Sequence, residues 1–378
     1  MTGNKPKTWI EVSAKALVSN VGELKRQSSG SSLMAVVKSN AYGHGTAAVV
    51  KAVDGVVDWF GVDSLVEAEE VRRSGSRRPV LILGYTPVGS LCQVVSHGFS
   101  QVTYSRRTAD AMSHFGSVRR PAKLQVKVET GTSRQGVDLE DLPTFFRFLS
   151  KLKNVKIEGL YTHFANVEDT TDPTYAKLQL RRFRKAVDIA EKYGIRPPVI
   201  HAACSAAAII YPETHFDLVR TGISLYGLWS SKVTQAAAAE TGINLRLRPA
   251  LTWKTTVAQV KNLSAGTPVS YGLTEKVRRP SRVAVLPIGY WDGFDRRLSS
   301  IGNVLVRGHR AKVIGRVCMN MCVVDVTDIR GAREGDEAVI LGRQGQEEIT
   351  AEELADRIGT INYDVVTGIN PLLPRYLV

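Results

Sequence analysis

The sequence predicts an α/β protein: an N-terminal (β/α)8 TIM barrel followed by a C-terminal, mostly-β domain. Three observations carry this expectation. Eight short apolar runs alternate with helical stretches within about 230 residues, the pattern of parallel strands joined by crossover helices. Nearly every chemically distinctive residue falls just after one of those runs, where a barrel gathers such groups at one mouth. Past residue 240 the alternation stops, and strands separated by glycine turns take over.

The first element, Thr8–Val12, alternates and reads as a strand. A helix follows over Ser13–Lys25, with Ala14, Leu17, Val18 and Val21 at helical spacing and Ser13 as a candidate N-cap. The eight barrel strands are expected at Leu33–Val37, Trp59–Val62, Val80–Leu83, Gln101–Tyr104, Lys123–Val128, Ile157–His163, Val199–Ala203 and Asp217–Val219. Helical patterns lie between most of them, as at Ser64–Arg73, Thr108–Phe115, Leu142–Leu152, Tyr175–Tyr193 and Ser205–Tyr211. The alanine-rich stretch Thr234–Gly242 reads as a surface segment or linker. Beyond it, strands are expected at Leu251–Val260, Arg282–Pro287, Asn303–Val306, Ala311–Val317, Cys322–Asp325 and Ala338–Leu341. Only Thr350–Ile358 reads as a helix there, with Thr350 and Glu353 fitting a capping box. These readings divide the chain into a barrel over 1–240 and a β domain over 241–378, with the strand at 8–12 free to join either.

The strand ends carry the chemistry. Lys38 follows the first strand, Asp63 the second, Arg134 the fifth, His163 the sixth, Ser205 the seventh and Arg220 the eighth. In an open sheet they would be spread along an edge; in a barrel they converge.

Bulk composition narrows the class. Hydrophobic residues make up 43% and charged residues 23% of 378, as in ordinary globular proteins. No window approaches the roughly 20 apolar residues of a membrane span. The first ten residues lack the apolar core of a signal peptide, which points to the cytoplasm. The cysteines, Cys92, Cys204, Cys318 and Cys322, form no disulfide framework. Cys318 and Cys322 have no nearby partners to complete a zinc set, so no metal is expected. The formal charge of +14 invites a nucleic-acid reading. The basic residues are scattered pairs, however, such as Arg72-Arg73 and Arg278-Arg279, without an aromatic-laced stripe. They read as a solvated surface whose field draws anions, not as a nucleic-acid interface.

The stretch Ala35-Val36-Val37-Lys38-Ser39-Asn40-Ala41-Tyr42-Gly43-His44-Gly45 delivers one lysine at the end of an apolar run. Dehydration at such a position disfavours an ammonium ion and makes a nucleophilic amine available, as a Schiff base requires. A strand-end lysine reaching water is the alternative. Tyr42 and the small residues around it fit either a flexible loop or a phosphate site. Val219-Arg220-Thr221-Gly222-Ile223 is a tight turn or a second phosphate-binding loop, since barrels often hold phosphate at their last loops. Ser205 serves equally as a helix N-cap or a phosphate ligand. Arg134 is either a surface residue or a bidentate clamp for a carboxylate. Tyr271 and Tyr290 stand beside glycines in the β domain, and a catalytic tyrosine there would need a cationic or hydrogen-bonding neighbour.

Taken together, these motifs resemble the alanine racemases, fold-type III pyridoxal-phosphate enzymes. The likeness covers nearly the whole chain. It rests on Ala35 to Gly45 together with Gly159-Leu160-Tyr161-Thr162-His163-Phe164, Val269-Ser270-Tyr271-Gly272 and Gly289-Tyr290-Trp291-Asp292-Gly293. Gly315-Arg316-Val317-Cys318-Met319 and Ile361-Asn362-Tyr363-Asp364 complete the ordered set.

The resemblance implies a homodimeric isomerase that interconverts L- and D-alanine by two bases and supplies D-alanine for cell-wall peptidoglycan. A serine or broad-specificity amino-acid racemase of the same fold is the alternative. It implies that Lys38 holds pyridoxal 5'-phosphate and acts as one base, and that Tyr271 from the partner subunit is the other. His163 would hydrogen-bond Tyr271, and Arg220 would face the pyridine nitrogen, with His201 orienting it. Tyr42, Ser205, Gly222, Ile223 and Tyr363 would hold the phosphate. Arg134 and the Met319 backbone would take the substrate carboxylate, and Tyr290 would guard the entrance. Lys127 matches a lysine that is carbamylated in some members. Cys204, Glu129, Thr132, Gln135 and Asn320 depart from the family pattern and bear on substrate range and rate.

Overall fold

The computed structural model describes residues 6–28 and 30–378. Residues 1–5, part of the N-terminal stretch read above, and Ser29 lie outside the described residues. The chain forms two compact units. One comprises Ala16–Ala41 and Val49–Arg248; the other comprises residues up to Lys15, Tyr42–Ala48 and Pro249–Val378.

The first unit is the barrel. Its eight strands are Ser32–Val36, Trp59–Val62, Val80–Ile82, Ser100–Thr103, Ala122–Glu129, Val155–Tyr161, Val199–His201 and Leu218–Thr221. Each pairs in parallel with the next in sequence from the first to the seventh, and the eighth pairs in parallel with the first. The seventh and eighth segments are joined by two backbone bonds, Asp217 N–H to Ile200 O at 3.0 Å and Arg220 N–H to Ala203 O at 3.1 Å.

The sequence explains why these strands are central. The first carries Leu33, Met34 and Ala35 with no exposed surface, so both its faces are covered, as parallel strands require. The helices bury one stripe each. Leu142–Leu149 buries Leu142, Phe145, Phe146 and Leu149, the i, i+3, i+4, i+7 face of an amphipathic helix. In Thr174–Lys192 the buried stripe runs through Ala176, Leu180, Phe183, Ala186 and Ala190, and it includes one polar member, Gln179.

The second unit is mostly β. Its main sheet runs in the order His309–Lys312, Asn303–Val306, Glu337–Gln344, Leu251–Thr256, Thr8–Val12 and Arg375–Leu377. Thr8–Val12 lies antiparallel to Leu251–Thr256, with Ile10 opposite Trp253, and parallel to Arg375–Leu377. Leu251–Thr256 alternates buried and half-buried residues, the period-2 pattern of a one-sided sheet. A three-stranded sheet of Gln259–Leu263, Ser281–Leu286 and Cys322–Asp325 stands beside it.

Four local expectations need correction. The stretch read as a linker forms a helix, Lys232–Glu240, capped by the Ser231 side chain accepting from Thr234 N–H. Its four consecutive alanines have high helix propensity. The single strand expected over Leu251–Val260 is two, Leu251–Thr256 and Gln259–Leu263. The strand expected at Ala311–Val317 is His309–Lys312. A second short helix, Asn362–Thr367, follows the one at Ala351–Ile358.

Phe183 has no exposed surface and meets Phe216 edge-to-face at 5.4 Å. Phe183→Ala should lower barrel stability by about 3–5 kcal/mol, read as a reduced urea midpoint with the secondary structure retained in buffer.

Candidate active site

The barrel unit places Lys38 two residues past its first strand, half-buried. The backbone then makes an unusual turn. Ser39, Asn40, Ala41 and Tyr42 all have φ between +52° and +54°. None is a glycine, and each such residue costs roughly 1–2 kcal/mol in a left-handed conformation. The barrel supplies an anchor. One carboxylate oxygen of Glu67 accepts the Ser39 N–H at 2.7 Å. The other accepts Asp63 N–H at 2.7 Å and Ser64 N–H at 3.2 Å. Glu67 is the third residue of a capping box begun by Ser64, so the group that starts a helix also fixes the turn after Lys38.

Arg220 is the next-to-last residue of the eighth strand and is buried. One guanidinium nitrogen donates to His201 Nδ1 at 2.8 Å. The other donates to Thr162 O at 2.9 Å and Ala202 O at 2.8 Å, and lies 3.4 Å from His163 Nδ1. His163 is held well below the usual imidazole range, first by burial and then by the charges of Arg220, Lys127, Arg134 and Lys38. All four act on this imidazole as positive charges and favour its neutral form. Such a mouth favours anionic ligands.

Lys127 is buried, and its Nζ donates to Gln135 Oε1 at 3.0 Å. Burial, then Arg134 and Arg220, push its pKa down to about 8. Glu129 organises the loop that carries Arg134. It accepts from the N–H groups of Gly131 at 2.5 Å, Thr132 at 2.6 Å and Arg134 at 3.2 Å, and from the Thr132 hydroxyl at 2.9 Å. Partial burial pushes its carboxyl up, but those donors outweigh it and hold the pKa at about 2. Gln179 links two loops, donating to Thr130 Oγ1 and His163 O, each at 3.2 Å, and accepting Ala165 N–H at 2.8 Å.

Ser205 opens the helix Ser205–Ile210, and its hydroxyl accepts from Gly222 N–H at 3.0 Å and Ser224 N–H at 3.4 Å. Ser205 and Gly222, both expected at a phosphate, are thereby brought together. The Ser224 hydroxyl is buried there with no partner among the described residues. Backbone amides beside an unpartnered hydroxyl suit a phosphate, and a half-buried strand-end lysine and a buried arginine share the barrel unit, so these residues fit pyridoxal phosphate.

The β unit groups the remaining expected residues in two places. The Tyr42 and Tyr363 rings lie 6.1 Å apart at 50°. Separately, three loops converge around Tyr271. The Ser270 hydroxyl donates to Arg316 O at 2.6 Å. Tyr290 N–H donates to Cys318 O at 3.0 Å, and Trp291 N–H to Met319 O at 2.9 Å. A Cβ on Gly289 would lie 2.1 Å from Cys318 O, so only glycine permits this approach. The cluster is exposed: Tyr271 retains 72% and Met319 54% of its surface.

Sequence reading missed Glu67, Gln179 and Gln125. Glu67 had a signal, the Ser64-x-x-Glu67 capping pattern. The two glutamines had none, because a buried amide looks like any other polar residue in a sequence.

Comparison with known proteins agrees with this geometry in both units. The model of the alanine racemase N-terminal domain matches residues 12–230, and that of the alanine racemase C-terminal domain matches residues 250–377. The chain belongs to the alanine racemase family. Among its relatives, the alanine racemase of Symbiobacterium thermophilum is 41% identical over 100% of this chain and 98% of its own. That of Leptospira interrogans is 40% identical over 98% of this chain and 96% of its own. Among solved structures, the alanine racemase of D-cycloserine-producing Streptomyces lavendulae superposes with a TM-score of 0.90 at 34% identity, covering 100% of this chain and 98% of its own. That of Bacillus anthracis with bound L-Ala-P gives 0.91 at 31% identity, covering 100% and 96%.

Because the folded pKa of Glu129 lies below the ordinary carboxylate value, its contribution to stability is present above about pH 4.5 and is lost as pH falls toward about 2. Glu129→Gln should lower the unfolding midpoint at neutral pH, and the gap from wild type should narrow as the solution is acidified. A gap that stays constant with pH would exclude this role.

Proposed function

We propose that this protein is an alanine racemase that uses pyridoxal 5'-phosphate to interconvert L- and D-alanine. It works in the cytoplasm as a homodimer and supplies D-alanine for peptidoglycan. One observation carries the reading most directly. Arg220, a residue that can only donate, is buried at the barrel mouth on His201 and two carbonyls, in a chain that also carries Lys38 and Tyr271.

The cofactor, when bound, supplies the electron sink that makes the α-proton of the amino acid removable. The residues of this chain do the rest. Lys38 holds the cofactor, and its amine then serves as a base on one face. Tyr271 of the second subunit serves the opposite face, because inversion at a planar carbon requires proton removal and return from different sides. Arg134 takes the substrate carboxylate. Arg220 donates toward the pyridine nitrogen and leaves that nitrogen without a proton, since a guanidinium has none to give up near neutral pH. Ser205, Gly222 and Ile223, with Tyr42 and Tyr363, hold the phosphate. Met319 and Tyr290 border the substrate. The exposure of Tyr271, Tyr290, Trp291 and Met319 supports a β unit that presents these groups to a partner.

Purified protein should show a borohydride-fixed cofactor adduct on Lys38; an adduct elsewhere would overturn the assignment. Racemisation assays with alanine, serine, lysine and arginine should favour alanine, and faster turnover of another amino acid would move the assignment to a broader racemase. Lys38→Ala and Tyr271→Phe should each lose activity by about 10²–10⁴-fold. Mixing the two variants under exchange should restore about a quarter of wild-type activity, because half the dimers then carry one intact shared site. No recovery on mixing would place both bases in one subunit.

A further inference from the structure

A buried row of side chains crosses the last four barrel strands. Gln125 stands on the fifth, His201 on the seventh and Arg220 on the eighth. Gln125 and His201 have no exposed surface. They meet across the sixth strand because the residue there, opposite Gln125 in the ladder, is Gly159. A Cβ on Gly159 would lie 1.7 Å from Gln125 Oε1. The glycine is the gap through which the amide reaches the imidazole.

The bonding pattern leaves one protonation state. Arg220 donates to His201 Nδ1 at 2.8 Å, and a guanidinium has no acceptor. Nδ1 must therefore carry a lone pair. The proton of a neutral imidazole then sits on Nε2 and needs an acceptor. Gln125 Oε1 lies 3.1 Å from Nε2. With its oxygen so committed, the amide leaves its own nitrogen without a partner among the described residues. An unpaired buried donor is costly, which makes the acceptor role the one this side chain is built around.

We propose that Gln125 is a positioning residue that fixes His201 as its Nε2–H tautomer, so that the imidazole holds Arg220 solely as an acceptor, with Gly159 providing the passage. Gln125 touches no reacting atom and acts through His201. The charged and titratable groups facing His201 are Arg220 and the Tyr161 ring, stacked on the imidazole at 4.6 Å. Lys127 lies beyond, its Nζ 5.8 Å from that ring. None is an anion at neutral pH, so nothing among the described residues around His201 favours a second proton on it.

The test is ¹⁵N spectroscopy of histidine-labelled, cofactor-loaded enzyme, with the His201 signals assigned by their loss in His201→Gln. Wild type should show protonated Nε2 and unprotonated Nδ1, unchanged from about pH 6 to pH 9. Gln125→Glu keeps the shape but places an anion against Nε2–H and favours the imidazolium. His201 should then titrate within that range. kcat should fall by about 10–100-fold at the acid end, recover at the alkaline end, and change more than KM. Gly159→Ala displaces the amide without altering its chemistry, and should shift the Nε2 signal while lowering kcat. A wild-type His201 protonated on Nδ1 or on both nitrogens would overturn the proposal, as would wild-type spectra and pH profiles in both variants. The kinetic arm rests on the racemase reading, whereas the tautomer does not. The expected tautomer in a protein that fails to racemise alanine would count against the function and leave this assignment standing.

Discussion

The barrel end depends on one buried cation. Arg220 is surrounded by acceptors that carry no charge: two backbone carbonyls and an imidazole nitrogen. Desolvating a guanidinium is expensive, and among the described residues no carboxylate pairs with it. Hydrogen bonds to three neutral acceptors on the sixth and seventh strand ends offset that cost instead. The same contacts tie the eighth strand to the sixth and seventh strand ends, beside the backbone bonds from Asp217 and Arg220. The contacts that place the arginine thus also help close the barrel. The mouth is left positively charged, which suits a phosphate and a carboxylate arriving together.

Much of this was legible in the sequence, for identifiable reasons. Strands covered on both faces favour continuous apolar runs, and Leu33–Val37 reads as one; Lys123–Val128 alternates instead, and buries the polar Gln125 and Lys127. Their ends had to carry the polar chemistry, which picked out Lys38, His163 and Arg220. The left-handed turn after Lys38 was invisible, because Ser39, Asn40 and Ala41 give no sign of it and the anchoring carboxylate lies at Glu67, far along the chain. The helix Lys232–Glu240 was misread because polar residues among alanines suit a linker and an exposed helix alike. Gln125 could not be chosen from sequence, since its significance depends on an absence at Gly159, on the neighbouring strand.

In the β unit, the determining constraint is close backbone approach. Gly289 lets one loop lie against Cys318 O, and Gly315 does the same beside Val269, where a Cβ would fall 2.5 Å from the carbonyl oxygen. These contacts hold loops that are otherwise open to solvent. Tyr271 and Tyr290 thus stand exposed on backbone that is held by these contacts.

The turn after Lys38 has a consequence for how the lysine is aimed. Four residues in mirror-image backbone geometry cannot arise as local structure, since each favours the opposite hand. The Glu67 carboxylate, carried on a helix beyond the next strand, accepts Ser39 N–H and gives the turn a partner from outside its own stretch. The bearing of Lys38 therefore depends on tertiary structure and not on its own stretch of chain alone. The aim of the amine is a certificate that the surrounding strands have folded.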